Sequence, residues 1–101
     1  MKLLTKEIRK ALPPLYSQDS RRAEDVKVHV KFFTPDSSWT WYATEFDGGD
    51  TFFGLVRGLE TELGYFSLRE LQSARGPLGL AIERDLHFGD HTLAEVQETA
   101  L

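Results

Sequence analysis

From position 26 to position 33 the chain alternates without a break: Val26, Val28, Val30 and Phe32 take turns with Lys27, His29 and Lys31. Period two is the mark of a strand with one buried and one wet face. The pattern therefore predicts a strand over 26–33 whose outer face is basic. Thr34-Pro35-Asp36-Ser37-Ser38 has the composition of a turn. Alternation resumes over 39–46, with Trp39, Trp41 and Ala43 on one side and Thr40, Tyr42 and Thr44 on the other. Asp47-Gly48-Gly49-Asp50 predicts a second turn. A third strand follows over 51–59, in which Gly54 either leaves room for a large neighbour such as an indole or marks a bulge. Positions 63–66 predict a short fourth strand.

Helical signals flank this block. Thr5 can cap a helix in which Leu4, Ile8 and Leu12 recur at intervals of four, before Pro13-Pro14 stops it. Ser67-Leu68-Arg69-Glu70 and Thr92-Leu93-Ala94-Glu95 both fit the capping box, a hydroxyl followed three residues later by a carboxylate. They predict helices over 68–74 and 93–99, the first ended by Gly76-Pro77. Positions 17–25 are polar without a period and read as an exposed loop, and 80–88 as an extended segment. Strands joined by short turns are antiparallel neighbours. The expected fold is a single α+β domain over residues 1–101: an antiparallel meander of three to five strands with short helices packed on one face. Its expected core is Val26, Val28, Val30, Phe32, Trp39, Trp41, Leu55, Phe66 and Leu71.

Composition narrows the function classes. The chain has no cysteine, which excludes disulfides, thiolate zinc sites and cysteine nucleophiles and favours a reducing, cytoplasmic setting. Its first residues, MKLLTKEIRK, are too polar for a signal peptide, and no window is apolar enough to span a membrane. The net charge of −4 is unevenly spread. Residues 1–31 hold eight bases against four acids, 32–82 three against seven, and 83–101 one against five. A basic start and an acidic remainder predict a polarised surface.

Candidate chemistry is sparse. Lys27, His29, Lys31 and Tyr42 are expected together on the wet face of the first two strands, an exposed contact patch for a partner. Glu83 and Asp85, with His87, would share one face of an extended segment and offer an acidic contact or an oriented imidazole. Glu45, Asp47 and Asp50 gather carboxylates around a glycine turn, without the spacing of an EF-hand. Trp39 and Trp41 are either core or a stacking platform. Neither a P-loop nor an HExxH pair is present. No cofactor and no metal is expected, and no catalytic residue is assigned.

The segments MKLLTKEIRKALPPLYSQ, VKFFTPDSSWTWYATEFDGGDTFFGLV and GYFSLRELQSARGPLGLAIERDLHFG resemble a bacterial domain-of-unknown-function family. Its members are short single-domain proteins, often encoded on plasmids and other mobile elements. The likeness runs nearly the whole chain, and the blocks 33–42 and 75–79 are its most specific parts. It implies a context, a mobile-element accessory or anti-defence role, and carries no site residues. The expected function is a non-enzymatic interaction protein that binds a protein partner. The alternatives are a nucleic-acid-binding module using the basic N-terminal third, and a small metal-dependent or acid/base hydrolase using Glu45, Asp47, Glu83 or His87.

Overall fold

The structure is a computed structural model that describes residues 1–101. Helix α1 (Lys6–Ala11) is followed by a 3-10 turn (Ala23–Asp25) and strands β1 (Lys27–Val28), β2 (Val30–Phe33), β3 (Thr40–Phe46), β4 (Thr51–Arg57) and β5 (Thr61–Ser67). Helix α2 (Leu68–Ser73), strands β6 (Glu83–Arg84) and β7 (His91–Thr92) and helix α3 (Leu93–Glu98) complete the chain. The main sheet has the order β5-β4-β3-β2-β6, and β1 pairs with β7 in a separate two-stranded sheet. All of these pairings are antiparallel. The α+β class and the meander are those the alternation predicts.

The helices start where local chemistry places them. The Thr5, Ser67 and Thr92 hydroxyls each accept from the backbone N–H three residues on. At Thr92 the box is complete, because Glu95 also accepts from the Thr92 N–H. At Ser67 the carboxylate comes from elsewhere: Asp50 accepts from the Ser67 hydroxyl and the Arg69 N–H, both within 2.8 Å.

The predicted strand over 26–33 is split at His29, and the split changes sides. Val30 and Phe32 belong to one core with Leu3, Leu4, Leu12, Ala43, Phe46, Phe52, Leu68, Leu71 and Ile82. Val26 and Val28 belong to a second core with Tyr42, Leu55, Leu93 and Val96. Tyr42 and Ala43 are strand neighbours and point to opposite faces, so the two cores cover the two faces of the main sheet. The N-terminal segment and α2 cover the first face and α3 covers the second, where packing on one face was expected. A sheet covered on two sides buries apolar residues of both parities, which explains why the neighbours Tyr42 and Ala43 are both buried.

A bulge between Ala43 and Glu45 shifts the β3–β4 register. Before it Ala43 faces Gly54; after it Glu45 faces Phe53. The extra residue turns Glu45 away from the tryptophan face, to which simple alternation assigns it. Gly54 sits at this bulge. A Cβ there would lie 1.8 Å from the Tyr42 carbonyl oxygen, so the close neighbour is backbone and not an indole. The indole is accommodated instead at Gly58, where a Cβ would lie 2.3 Å from the Trp39 ring.

Candidate functional site

On the first face, Trp39 and Trp41 lie side by side as strand alternation requires. Their rings stack at 5.8 Å between centroids and 29° between planes. Three core expectations are corrected here: Trp39 is 38% exposed, and Trp41 and Phe66 are only half-buried. Val26, Val28, Val30, Phe32, Leu55 and Leu71 are buried as expected. The reason is the short α2, which reaches Leu68 and Leu71 and ends at Ser73, leaving the end of the sheet beyond it uncovered. The indoles thus form a ridge with a groove on each side.

One groove, of about 530 Å³, is lined by the hydroxyl residues Thr34, Ser37 and Ser38 and by Arg75, Gly76 and Pro77. Asp36 fixes the loop that carries Gly76 and Pro77. Asp36 Oδ2 accepts from the Leu78 N–H at 2.8 Å and the Leu80 N–H at 3.3 Å. Gly76 is required for this seat, since a Cβ would lie 1.6 Å from Asp36 Oδ1. The two blocks singled out in the sequence, 33–42 and 75–79, therefore dock on each other. Arg75 donates to the Ala74 carbonyl at 2.7 Å and the Gln72 carbonyl at 3.3 Å, capping its own helix.

The other groove, of about 380 Å³, runs between the indoles and β5. Val56, Glu62, Gly64 and Phe66 line it, together with Glu70 and Leu71 of α2 and Ala74, the residue that follows the helix. It contains two carboxylates and no basic side chain.

The residues proposed from the sequence fall elsewhere. Lys31 and Tyr42 are cross-strand partners, with the ammonium 5.9 Å from the phenol ring centre. Lys31 also meets Asp85 at 3.5 Å, so these three do form one cluster. Yet Tyr42 is 1% exposed, which corrects the expectation of a tyrosine displayed on a wet face. It packs with Leu93 and Val96 of α3, and its hydroxyl donates to the Leu101 carbonyl at 3.0 Å. Burial pushes its ionisation upward, against the pull of Arg57. His29 lies at the break between β1 and β2 and its N–H donates to the Ala43 carbonyl at 2.9 Å. Its pKa is lowered first by burial and then by the Lys27 charge. Lys27 faces Asp90 at 3.4 Å. Glu83 sits on β6 opposite Phe33, apart from His87.

The glycine-turn carboxylates do not converge on one point. Glu45 is 2% exposed and accepts from the Tyr16 N–H at 2.8 Å and the Gln18 N–H at 2.9 Å. Asp47 accepts from the N–H groups of Gly49, Asp50 and Thr51 within 3.0 Å, and these bonds lower its pKa. Asp50 is held low first by the Ser67 hydroxyl and then by the Arg69 N–H. All three carboxylates organise backbone. No group of three or more metal-ligating side chains occurs in the structure, and no helix is long and apolar enough to cross a membrane.

Residues 3–100 match the family model described as Protein of unknown function (DUF2958), and the chain belongs to that family. No curated protein and no solved structure matches the chain.

Proposed function

We propose that this chain is a non-enzymatic interaction protein that binds a protein partner through the tryptophan ridge and its grooves, as an accessory or anti-defence factor of a mobile element. The observation that carries the reading is the stacked Trp39–Trp41 pair left partly in solvent between two concave surfaces. Partly exposed aromatics beside concave surfaces are the anchors that protein interfaces favour, and exposing an indole without a use carries a hydrophobic cost. The mobile-element setting rests on the family resemblance of the sequence blocks alone.

The two alternatives find less support. Phosphate binding calls for clustered free cations. Here Lys27 and Lys31 face Asp90 and Asp85, Arg22 pairs with Glu24, and the chain as a whole carries a net charge of −4 that repels phosphate. A hydrolase needs its groups within reach of one substrate atom, whereas Glu45, Asp47, Glu83 and His87 lie in separate settings.

The test is affinity capture from the native cell with mass spectrometry, run with the parent chain, Trp39→Ala, and Lys27→Glu with Lys31→Glu. The reading predicts a captured protein that Trp39→Ala loses and the charge-reversed chain keeps. Capture lost only on charge reversal would move the site to the Lys27–Lys31 face.

A further inference from the structure

The groove between the indoles and β5 opens onto a sheet edge, and the combination specifies a ligand more narrowly than an aromatic anchor does. β5 is the outermost strand, seven residues long, and pairs only with β4. At the ends of this hairpin the Leu68 N–H donates to the Asp50 carbonyl and the Gly58 N–H to the Glu60 carbonyl. Antiparallel hydrogen bonding alternates residue by residue. The paired groups are therefore those of Glu62, Gly64 and Phe66, and the N–H and C=O of Leu63 and Tyr65 point outward. The side chains of Leu63 and Tyr65, on the second face, are 45% and 56% exposed. β5 carries no proline and no lysine, two usual protections of an edge; its one charged side chain is Glu62, and the Tyr16 ring meets Tyr65 edge-on at 6.5 Å on the second face.

Gly64 sits midway along it. A glycine inside a strand weakens it by about 0.5–1 kcal/mol relative to alanine, and Gly54 and Gly58 have steric reasons to be glycine. Gly64 has none within the chain: a Cβ there would meet no atom within 4 Å. What its missing side chain does is leave the groove open from the β5 edge to Trp41.

We propose that β5 receives an extended basic segment of a partner protein as an added strand. An arginine or lysine opposite Gly64 then lies across it into the groove, between the Trp41 ring and the Glu62 and Glu70 carboxylates. This rests on the partner-binding reading above and names the chemistry of that partner. Residues directly opposite in a sheet point to the same side, so the residue facing Gly64 enters the groove and its two neighbours lie beside Leu63 and Tyr65. The spacing between strands is about 4.8 Å, short enough for a long side chain to cross β5 and reach the groove. An aromatic face with two carboxylates and no base selects a cation. The recognised pattern is alternation of basic and apolar residues, with main-chain bonds supplying affinity and the groove supplying specificity.

The test uses fluorescence anisotropy with a labelled heptapeptide alternating valine with arginine. Controls are the same peptide with glutamate for arginine, and a version N-methylated on the valine amides, which face the outward groups of Leu63 and Tyr65. The expected result is binding of the basic peptide alone, weakened about tenfold by Glu62→Gln with Glu70→Gln and by raised salt, and abolished by Gly64→Leu in a chain whose circular dichroism is unchanged. Equal binding of the glutamate or the N-methylated peptide, or binding that survives Gly64→Leu, would overturn the proposal. So would a β5-dependent dimer in sedimentation equilibrium that excludes the peptide, because the occupant of the edge would then be a second copy. If no peptide binds while Trp39→Ala still abolishes capture of the native partner, the strand-addition proposal fails and the partner-binding reading stands. If Trp39→Ala is also without effect, both fail.

Discussion

Single side chains in this protein mostly act on backbone. Glu45 shows it best, since one buried carboxylate takes the N–H groups of Tyr16 and Gln18 on separate oxygens. Tyr16 has φ 71°, a left-handed conformation that a tyrosine adopts only under constraint, and the bond to Glu45 supplies that constraint. Glu45→Gln keeps the shape and replaces one acceptor with an amide NH2 facing a donor. It is expected to destabilise the fold by about 2 kcal/mol, read as a lower urea midpoint at unchanged slope. An unchanged midpoint would show that the loop is held by other contacts. Nothing in the sequence around Glu45 announces this role. The bulge that turns Glu45 to the second face is set by the whole β3–β4 pairing, so local alternation assigns the residue to the wrong side.

The elements divide into those written locally and those written by their neighbours. Helix starts are local: a hydroxyl and the amide three residues on are enough, and Thr5, Ser67 and Thr92 were all legible. The change of face at His29 was not, because Val26, Val28, Val30 and Phe32 are all buried and alternation records burial without saying on which side of a sheet it occurs. The burial of Tyr42 was illegible for a related reason, since its cover comes from α3 and from Leu101, far along the chain. The candidate groove was half legible: the pairing of Trp39 with Trp41 follows from spacing, but their exposure depends on where α2 ends. Thr92→Ala removes the hydroxyl that starts α3 and is expected to cost about 1 kcal/mol, with Thr92→Ser nearly neutral. Thermal melts of the two variants check it. Equal melting of Thr92→Ala and the parent would mean that α3 is held in place by its packing and not by its cap.

For the molecule as a whole, acid should act in two stages. The His29 pKa is lowered in the folded chain, so the unfolded chain binds its proton first. Stability from this source is complete above the unfolded value of about 6.5 and falls as pH drops below it. Asp47 and Asp50 are also depressed, and their contribution is complete above about 4 and is lost as pH falls further, through their folded values. Urea midpoints between pH 8 and 3 should show both declines, with His29→Gln removing the upper one. A single decline near pH 4 in the parent chain would mean that His29 does not contribute.

The order of strands in the main sheet carries a consequence for how the protein assembles in time. β3, β4 and β5 are joined by short turns, whereas β6 reaches β2 only after some fifty intervening positions and β7 reaches β1 only near the end of the chain. Loop closure delays distant pairings relative to near ones. The three-stranded hairpin stack is then the expected nucleus, and the Asp36 seat for Leu78 and Leu80, which holds the loop carrying Gly76 and Pro77, is completed late. Elements that join last on few contacts also open most readily in the native state. Amide hydrogen exchange should be slowest at the β3–β4 pairing and fastest in the two-residue β1–β7 pair, with the Leu78 and Leu80 amides between. Protection of β1–β7 equal to that of β3–β4 would show that the protein opens only as one unit.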